Sequence, residues 1–401
     1  MGTAMETFDV VVVGGGPAGA TAACGLAANG YSVLLLDRAG RIKPCGGAIP
    51  PILIKEFDIP DELIVARIQS ARIVSPKDRK ADMPIDGGYV GMVDREHFDE
   101  WLRERASRAG AQRRTGTFET LQHDTSGTAL VTFTKRLDDG FETTETVRAR
   151  FVIGADGANS GIALVALPNE EAPPFVFAYH EIVKSPKPAD GAAFEARRCD
   201  VYYNGRFSPD FYAWVFPHGD TTSIGTGSAH KGFSLRGSVA DLRQVIGMDG
   251  HETIRKEGAP IPLRPRRTWD NGRDVIVAGD AAGVVAPASG EGIYYAMLCG
   301  RIVAESVSEA IRTGNPRHLA SARRRFMKAH GRVFWVLGIM QRFWYANDAR
   351  RERFVTMCKD PDVQMLTWQA YMHKKLVKAK PMAHMRIFVK DMAHLLGMVP
   401  P

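Results

Sequence analysis

The sequence predicts an α/β protein: a doubly wound parallel sheet that binds a dinucleotide, an antiparallel β-sheet domain in the middle of the chain, and a helical C-terminal region. Three observations carry this prediction. A strand, a glycine turn, a helix and a second strand occupy residues 8–37. Two further short apolar strands, at 151–153 and 275–277, run into Gly154-Ala155-Asp156-Gly157 and Gly279-Asp280-Ala281-Ala282-Gly283. Residues 175–230 alternate like a sheet, and the chain from about 316 is helical, basic and aromatic.

The first unit is justified residue by residue. Phe8-Asp9-Val10-Val11-Val12-Val13 is β-branched, long enough for one buried parallel strand and too short for a helix. Gly14-Gly15-Gly16-Pro17-Ala18-Gly19 follows in G-x-G-x-x-G spacing. Gly14 permits the tight turn, Gly16 lets backbone N–H groups approach a pyrophosphate, and Gly19 allows close helix–strand packing. Residues 20–28 read as a helix stopped by Asn29-Gly30, and residues 31–36 as a second strand ending on Asp37. Asp37 stands where a carboxylate accepts bonds from a ribose, with Arg38 beside it. This is a Rossmann-type unit.

The rest follows in order. Residues 38–50 are loop, with Lys43-Pro44-Cys45-Gly46-Gly47 suited to close approach of a flat ligand. Residues 51–57 read as a short helix, 68–94 as short strands, and 94–109 as a helix opened by Asp94. Residues 113–150 read as three strands with a turn at Asp138-Asp139-Gly140, and 168–188 as a proline-rich crossing. Residues 235–257 read as one helix, and a loop at 284–292 precedes a helix over 293–311.

One dinucleotide unit serves NAD or FAD equally. The two distant Gly–Asp turns favour a flavin dinucleotide, whose length needs three strand ends at one crevice. In that arrangement Asp280 takes a ribityl hydroxyl, and the amides around Gly290 and Gly292 stabilise negative charge at the pyrimidine end of the ring.

Composition bounds the class. The 401 residues are 45% hydrophobic and 24% charged, which fits a soluble globular protein of two or more domains. The five cysteines (24, 45, 199, 299 and 358) are scattered, which points to a reducing compartment without a disulfide or zinc framework. No histidine pair has metal-ligand spacing, and no metal is expected. The first strand starts within eight residues, so no signal peptide fits. The best apolar run, residues 333–340, is flanked by Arg332 and Arg342 and falls short of the ~18 residues of a membrane-spanning helix. The net charge is +7, yet residues 321–401 carry sixteen Lys and Arg against five Asp and Glu. With Phe334-Trp335, Phe343-Trp344-Tyr345 and Arg386-Ile387-Phe388-Val389-Lys390 among them, this tail suits an anionic lipid surface. No nucleic-acid module accompanies the charge.

The three glycine segments together resemble the aromatic-hydroxylase-like flavoprotein superfamily. Two stretches narrow the resemblance to the geranylgeranyl reductase family: Lys43-Pro44-Cys45-Gly46-Gly47-Ala48-Ile49-Pro50, and Tyr212-Ala213-Trp214-Val215-Phe216-Pro217 followed by Gly225-Thr226-Gly227, in the Y-x-W-x-F-P…G-x-G pattern. Met83-Pro84-Ile85-Asp86-Gly87-Gly88-Tyr89-Val90-Gly91-Met92-Val93-Asp94-Arg95 adds likeness to the members that serve chlorophyll and bacteriochlorophyll synthesis. Many relatives carry Arg where this chain has Gly161.

The resemblance implies a discontinuous FAD-binding domain (1–70, 95–165 and 268–310), a β-sheet substrate domain (71–94 and 166–267) and a helical basic C-terminal region (311–401). It implies FAD contacts at Gly14, Gly16, Pro17, Ala18, Gly19, Asp37, Arg38, Cys45, Gly46, Gly47, Ala48, Arg95, Asp156, Gly279, Asp280, Pro287, Gly290, Gly292 and Ile293. Tyr212, Trp214, Phe216, Pro217, Gly225 and Gly227 would form the substrate pocket, with Cys45 and Tyr212 as candidate catalytic residues. The implied activity uses NADPH as a transient hydride donor to saturate three C=C bonds of a geranylgeranyl group to phytyl, on the esterified pigment or the free diphosphate. The implied location is cytoplasmic, at the periphery of the photosynthetic membrane. Reduction of other prenyl lipids, and a monooxygenase or halogenase of the same fold, are the competing readings.

Overall fold

The computed structural model describes residues 5–38, 42–136, 140–187 and 194–374. The chain starts with β1 (Thr7–Val13), α1 (Pro17–Ala28), β2 (Val33–Asp37), β3 (Ala48–Ile49), α2 (Pro51–Glu56), β4 (Ala66–Ile68), β5 (Ser70–Val74), β6 (Lys80–Pro84) and β7 (Val90–Met92). It continues through α3 (Arg95–Arg108), β8 (Gln112–Thr115), β9 (Thr117–His123), β10 (Ala129–Arg136), β11 (Glu142–Gly154), α4 (Gly161–Ala166), β12 (Phe175–Lys184) and β13 (Arg198–Tyr202). The last elements are β14 (Ala213–His218), β15 (Thr221–Ser228), α5 (Leu235–Val245), β16 (Thr253–Pro262), β17 (Val275–Val277), α6 (Ile293–Thr313), α7 (Ser321–Trp344), α8 (Asp348–Met357) and α9 (Pro361–His373). They form two compact units. The first is Met1–Lys43, Arg95–Phe175 and Ile261–Phe334; the second is Pro44–Asp94, Val176–Pro260 and Trp335–Pro401.

In the first unit, β8, β2, β1, β11 and β17 are parallel neighbours. Val13 stands opposite Gly154 and Leu36, so these strands end at one edge. Val10, Val11 and Val12 are fully buried, as a strand covered on both faces requires. β11 is one long strand: its first half pairs antiparallel with β10, its second half parallel with β1. The sequence reading had split it at residue 150. α1 begins on Pro17, whose ring suits the first helical position. Small residues let α6 lie almost on α1; a Cβ at Gly300 would fall 2.2 Å from the Ala18 carbonyl oxygen.

In the second unit, a seven-stranded sheet runs β16-β12-β15-β14-β13-β5-β6, and β3-β7-β4 form a smaller one. The period-2 alternation of the large sheet separates two environments. Tyr179, Val183, Ala213, Val215 and Ile224 face α5 and bury with Val239, Leu242 and Met248. His180, Trp214, Phe216, Ser223 and Gly225 belong to the opposite face, by their register across β12, β15 and β14.

One helix expectation is corrected. α5 stops at Val245, and residues 253–257, read as its end, belong to β16. Gly247 (φ +71°) turns the chain away from the helix. α8 is fixed by Arg351, whose side chain is 2% exposed; it donates to Tyr345 O at 2.6 Å and to Pro209 O, and pairs with Asp348 at 2.7 Å. Among the described residues no helix is long and apolar enough to cross a membrane. The basic stretch Arg386–Lys390 and the turn residues Asp138 and Asp139 lie outside the described residues.

Candidate functional site

Within the first unit, three parallel strands deliver three glycine turns to one sheet edge. Gly14 N donates to Leu36 O at 2.7 Å, Ala155 N to Val13 O at 2.7 Å, and Ala278 N to Gly154 O at 2.8 Å. Gly14 has φ +106°, and a Cβ there would fall 2.3 Å from Ala155 O, so both conformation and packing exclude a side chain. A Cβ at Gly279 would meet that of Ala18 at 2.7 Å. Residues 14–19, 154–157 and 279–283, far apart in sequence, therefore abut.

Gly16 is different. It caps α1 with ordinary extended backbone (φ −74°), and a Cβ there would meet nothing within 4 Å. Neither strain nor packing demands glycine at this position. A pyrophosphate on the N–H groups that open α1 does demand it, and this is the observation by which the residues fit a dinucleotide.

Asp37 accepts from Arg103 Nη1 at 3.1 Å. The same nitrogen reaches Gly15 O at 3.4 Å, and Arg103 also holds Glu100 through Nη2 at 2.9 Å. Arg103 thus ties the acid at the end of β2 to the glycine turn. Sequence reasoning missed it, because nothing in the pattern of α3 shows which arginine turns toward β2. Arg113, with Arg103 behind it, holds the Glu100 carboxyl down to about 2. Arg38 is exposed. Arg95 and Asp99, 7% and 8% exposed, form a bidentate pair at 2.8 and 2.7 Å.

Asp156 accepts from Ser160 Oγ at 2.5 Å and from Ile162 N at 3.1 Å, which pins the second glycine turn to the start of α4. Burial pushes its carboxyl up, against these hydrogen bonds. Asp280 pairs with Lys43, a partner the sequence reading did not single out. A Cβ at Gly292, the cap of α6, would lie 3.8 Å from the Asp280 Oδ1 atom, so the carboxylate sits beside a helix N-terminus. Pro287 is buried in the preceding loop. The Gly290 N–H is used internally, on Ala286 O at 2.8 Å, and Glu291 caps Tyr294 N at 3.1 Å. Gly292 and Ile293 then open the helix.

Within the second unit, the motif residues of β14 and β15 explain one another. Trp214 stands directly opposite Gly225, and His180 opposite it on the other side. A Cβ on Gly225 would fall 2.3 Å from Trp214 Cζ2 and 2.6 Å from His180 Cβ, so the glycine exists to seat the indole. Gly227 does the same for Phe211, at 3.0 Å. Phe211 and Tyr212 stack at 4.2 Å, Tyr212 lies 6.0 Å from Trp214, and Trp214 6.1 Å from Phe216. Gly46 rests on the Phe216 ring, 3.0 Å from its would-be Cβ. Gly47 (φ +71°) leaves room for His218 Nε2 and Val93 O, each 2.5 Å from a would-be Cβ. Ala48 pairs with Met92, and Pro217 is buried in β14.

Cys45 is half-buried, and its sulfur accepts from Gly47 N at 3.4 Å. Burial drives the Tyr212 phenol far above its ordinary value, and Tyr203 and Cys45 push the same way. The Tyr212 phenol is therefore held neutral. Burial lifts the Cys299 and Cys358 thiols to about 12, which suits packed, unreactive groups.

His218, absent from the sequence reading, donates from Nδ1 to Phe216 O at 3.0 Å. Burial lowers it from 6.5, against the opposing pull of Asp94. The unfolded chain then binds the extra proton first as pH falls through 6.5. Stability from this group is full above that pH and lost below it. The melting temperature is expected to fall between about pH 7 and 5.5, less steeply in His218→Gln, by at most ~1.4 kcal/mol per pH unit. Thermal melts of both proteins across that range check this; identical slopes would exclude His218 as the source.

Comparison with known proteins follows from this geometry. The chain matches the profile of the family described as Lycopene cyclase protein over residues 9–174. It is 55% identical over 398 residues to the geranylgeranyl diphosphate reductase of Rhodobacter capsulatus, covering 98% of this chain and 99% of that one. It is 36% identical to the geranylgeranyl diphosphate reductase of Synechocystis, covering 96% and 97%. The crystal structure of a geranylgeranyl bacteriochlorophyll reductase-like protein from Thermoplasma acidophilum superposes with a TM-score of 0.78 at 22% identity, over 94% of this chain and 98% of that one. At that identity the likeness establishes the fold.

Proposed function

Because the chain belongs to the geranylgeranyl diphosphate reductase family, we propose that it is an FAD enzyme that takes hydride from NADPH and saturates three C=C bonds of a geranylgeranyl group, giving phytyl. The observation that carries the flavin is the meeting of three glycine turns at one sheet edge, with Gly16 kept bare where no protein atom requires it.

Each residue then has a task. The N-terminus of α1 holds the pyrophosphate, and Asp37, oriented by Arg103, accepts the ribose. Asp280 accepts a ribityl hydroxyl, and Lys43 offsets its charge. Gly292 and Ile293 aim the opening of α6 at the pyrimidine end of the ring. Bound FAD, once reduced by NADPH, would supply hydride to an alkene carbon. Isolated prenyl C=C bonds have no electron-withdrawing group, so the site must also deliver a proton and exclude water. Tyr212, Trp214 and Phe216 supply apolar ring surface for a C20 chain, with Cys45 beside Tyr212.

We assign the basic C-terminal region to a peripheral contact with an anionic membrane, where such a lipophilic substrate resides. Trp335 and Ile339 are 67% and 47% exposed on α7, whose Lys328, Arg332 and Arg342 are exposed too.

The test is the pigment profile of a phototrophic host lacking this protein. Accumulated geranylgeranyl-esterified pigment, restored to phytyl pigment by the gene in trans, is the expected result. Unchanged phytyl pigment would exclude the role. Oxygen-dependent NADPH consumption with a hydroxylated product would move the protein to the monooxygenases.

A further inference from the structure

The face of the second sheet that carries Trp214 also carries a buried polar chain that the Y-x-W-x-F-P…G-x-G pattern does not contain. Trp214 Nε1 donates to Ser223 Oγ at 3.1 Å. Ser223 Oγ meets His180 Nδ1 at 2.9 Å, and His180 Nε2 meets Glu257 Oε2 at 3.0 Å. Glu257 in turn pairs with Arg255 through its other oxygen. The first three links cross four adjacent strands, β14, β15, β12 and β16, and the last lies within β16. Ser223 is fully buried, His180 3% and Trp214 5% exposed.

The chain has a direction. The indole N–H is a donor only, so Ser223 Oγ must accept from it. The serine proton is then free to go to His180 Nδ1. Glu257 accepts from Nε2–H, both in this tautomer and when the imidazole is doubly protonated. Trp214 Nε1, Ser223 Oγ and both His180 nitrogens each have a partner, as a buried network that specifies one geometry requires. The Ser–His–Glu sequence resembles a nucleophile relay, but the indole N–H occupies the hydroxyl and no hydrolytic role follows.

Gly225 shows what the network holds. With no side chain between them, His180 and Trp214 close on the same glycine, with ring centroids 6.3 Å apart. The hydrogen bond to Ser223 selects one orientation, and His180 and Glu257 hold Ser223.

We infer that Ser223, His180 and Glu257 are positioning residues that lock the Trp214 indole, and through it set which C=C bond of the prenyl chain lies at the reducing position. This rests on the proposed function for the role of Trp214. A C20 chain with repeated, near-identical double bonds offers no polar handle for register along its length, so a fixed ring surface is what can discriminate.

The experiment uses the full-length, FAD-loaded protein with geranylgeranyl diphosphate and NADPH. Ser223→Ala and Glu257→Gln, both nearly isosteric, are each expected to raise KM for the prenyl substrate about tenfold, the scale of one hydrogen bond. The fraction of partly reduced product should rise with it. The rate at which NADPH bleaches the flavin should stay unchanged, which a general loss of structure would not allow. In a Trp214→Phe background, Ser223→Ala should change KM less than about twofold, because the group it acts through is gone. Equal effects in both backgrounds, or wild-type KM and product distribution in Ser223→Ala, would overturn the inference. A wild type that reduces no prenyl substrate would instead overturn the proposed function. The relay is then judged by fluorescence: the emission difference between wild type and Trp214→Phe must shift in Ser223→Ala, and an unshifted difference sinks it.

Discussion

Gly19→Ala is expected to yield a colourless, destabilised protein. The new Cβ would lie 1.9 Å from the Gly14 carbonyl oxygen and 3.0 Å from Ala155 Cβ. The nearer atom is backbone in the turn proposed to bind phosphate, so no flexible side chain can yield. Overpacking of this kind costs about 1–3 kcal/mol and displaces the turn itself. FAD affinity should fall at least about 100-fold, since both the N–H groups and the α1 axis move with the turn. Gly16→Ala is the control that separates folding from binding. Its Cβ meets no protein atom, so the protein without flavin should melt within ~1 kcal/mol of wild type, the cost of a poorer helix cap. Its FAD affinity should still fall, because the methyl group stands where the pyrophosphate approaches. Flavin titration by fluorescence quenching, with thermal melts of the flavin-free proteins, reads both. A Gly16→Ala protein that binds FAD normally would remove the main support for the phosphate site.

Trp214→Ala is expected to abolish prenyl reduction while leaving the yellow cofactor in place. The side chain is 5% exposed, lies over Gly225, and satisfies Ser223 through its N–H. Its removal creates a large cavity, at about 3–5 kcal/mol in stability, and leaves the polar relay facing that space. On the substrate side, losing the ring surface and its register should cost about 3 kcal/mol or more, a fall of 100-fold or more in kcat/KM for the prenyl substrate. Flavin content should stay near wild type, because Trp214 is not among the expected FAD contacts and the three glycine turns lie within the first unit. The decisive measurement is kcat/KM beside the flavin-to-protein ratio. Loss of both together would place Trp214 in the general core instead.

The determinants of the dinucleotide unit are local. Strand, glycines, helix and acid lie within about thirty residues, and each is tied to the backbone by conformation, so β1, α1 and β2 were readable at once. The long α6, capped by Gly292, was equally legible. The parallel run of β1, β11 and β17 was foreseeable because strand ends carrying ligand turns share one edge of such a sheet. Residues 253–257 were misread because Arg255, Lys256 and Glu257 are good helix formers by intrinsic propensity. β16 owes its state to its neighbour β12, which no local pattern reveals.

Sequence alone therefore determined the Rossmann-type unit and its glycine turns, written in contiguous residues whose spacing has one physical use, while the aromatic motif rested on the family resemblance. It did not assign the faces of the second sheet, whose aromatic residues look alike in the sequence; only the tertiary structure put Tyr179 against α5 and Trp214 on the other side. The partners that position the site, Arg103 for Asp37, Lys43 for Asp280 and the Ser223–His180–Glu257 chain for Trp214, also came from the fold. Hydrogen bonds and ion pairs between residues dozens to hundreds of positions apart depend on where whole strands and helices are placed, and spacing in the chain carries no record of that.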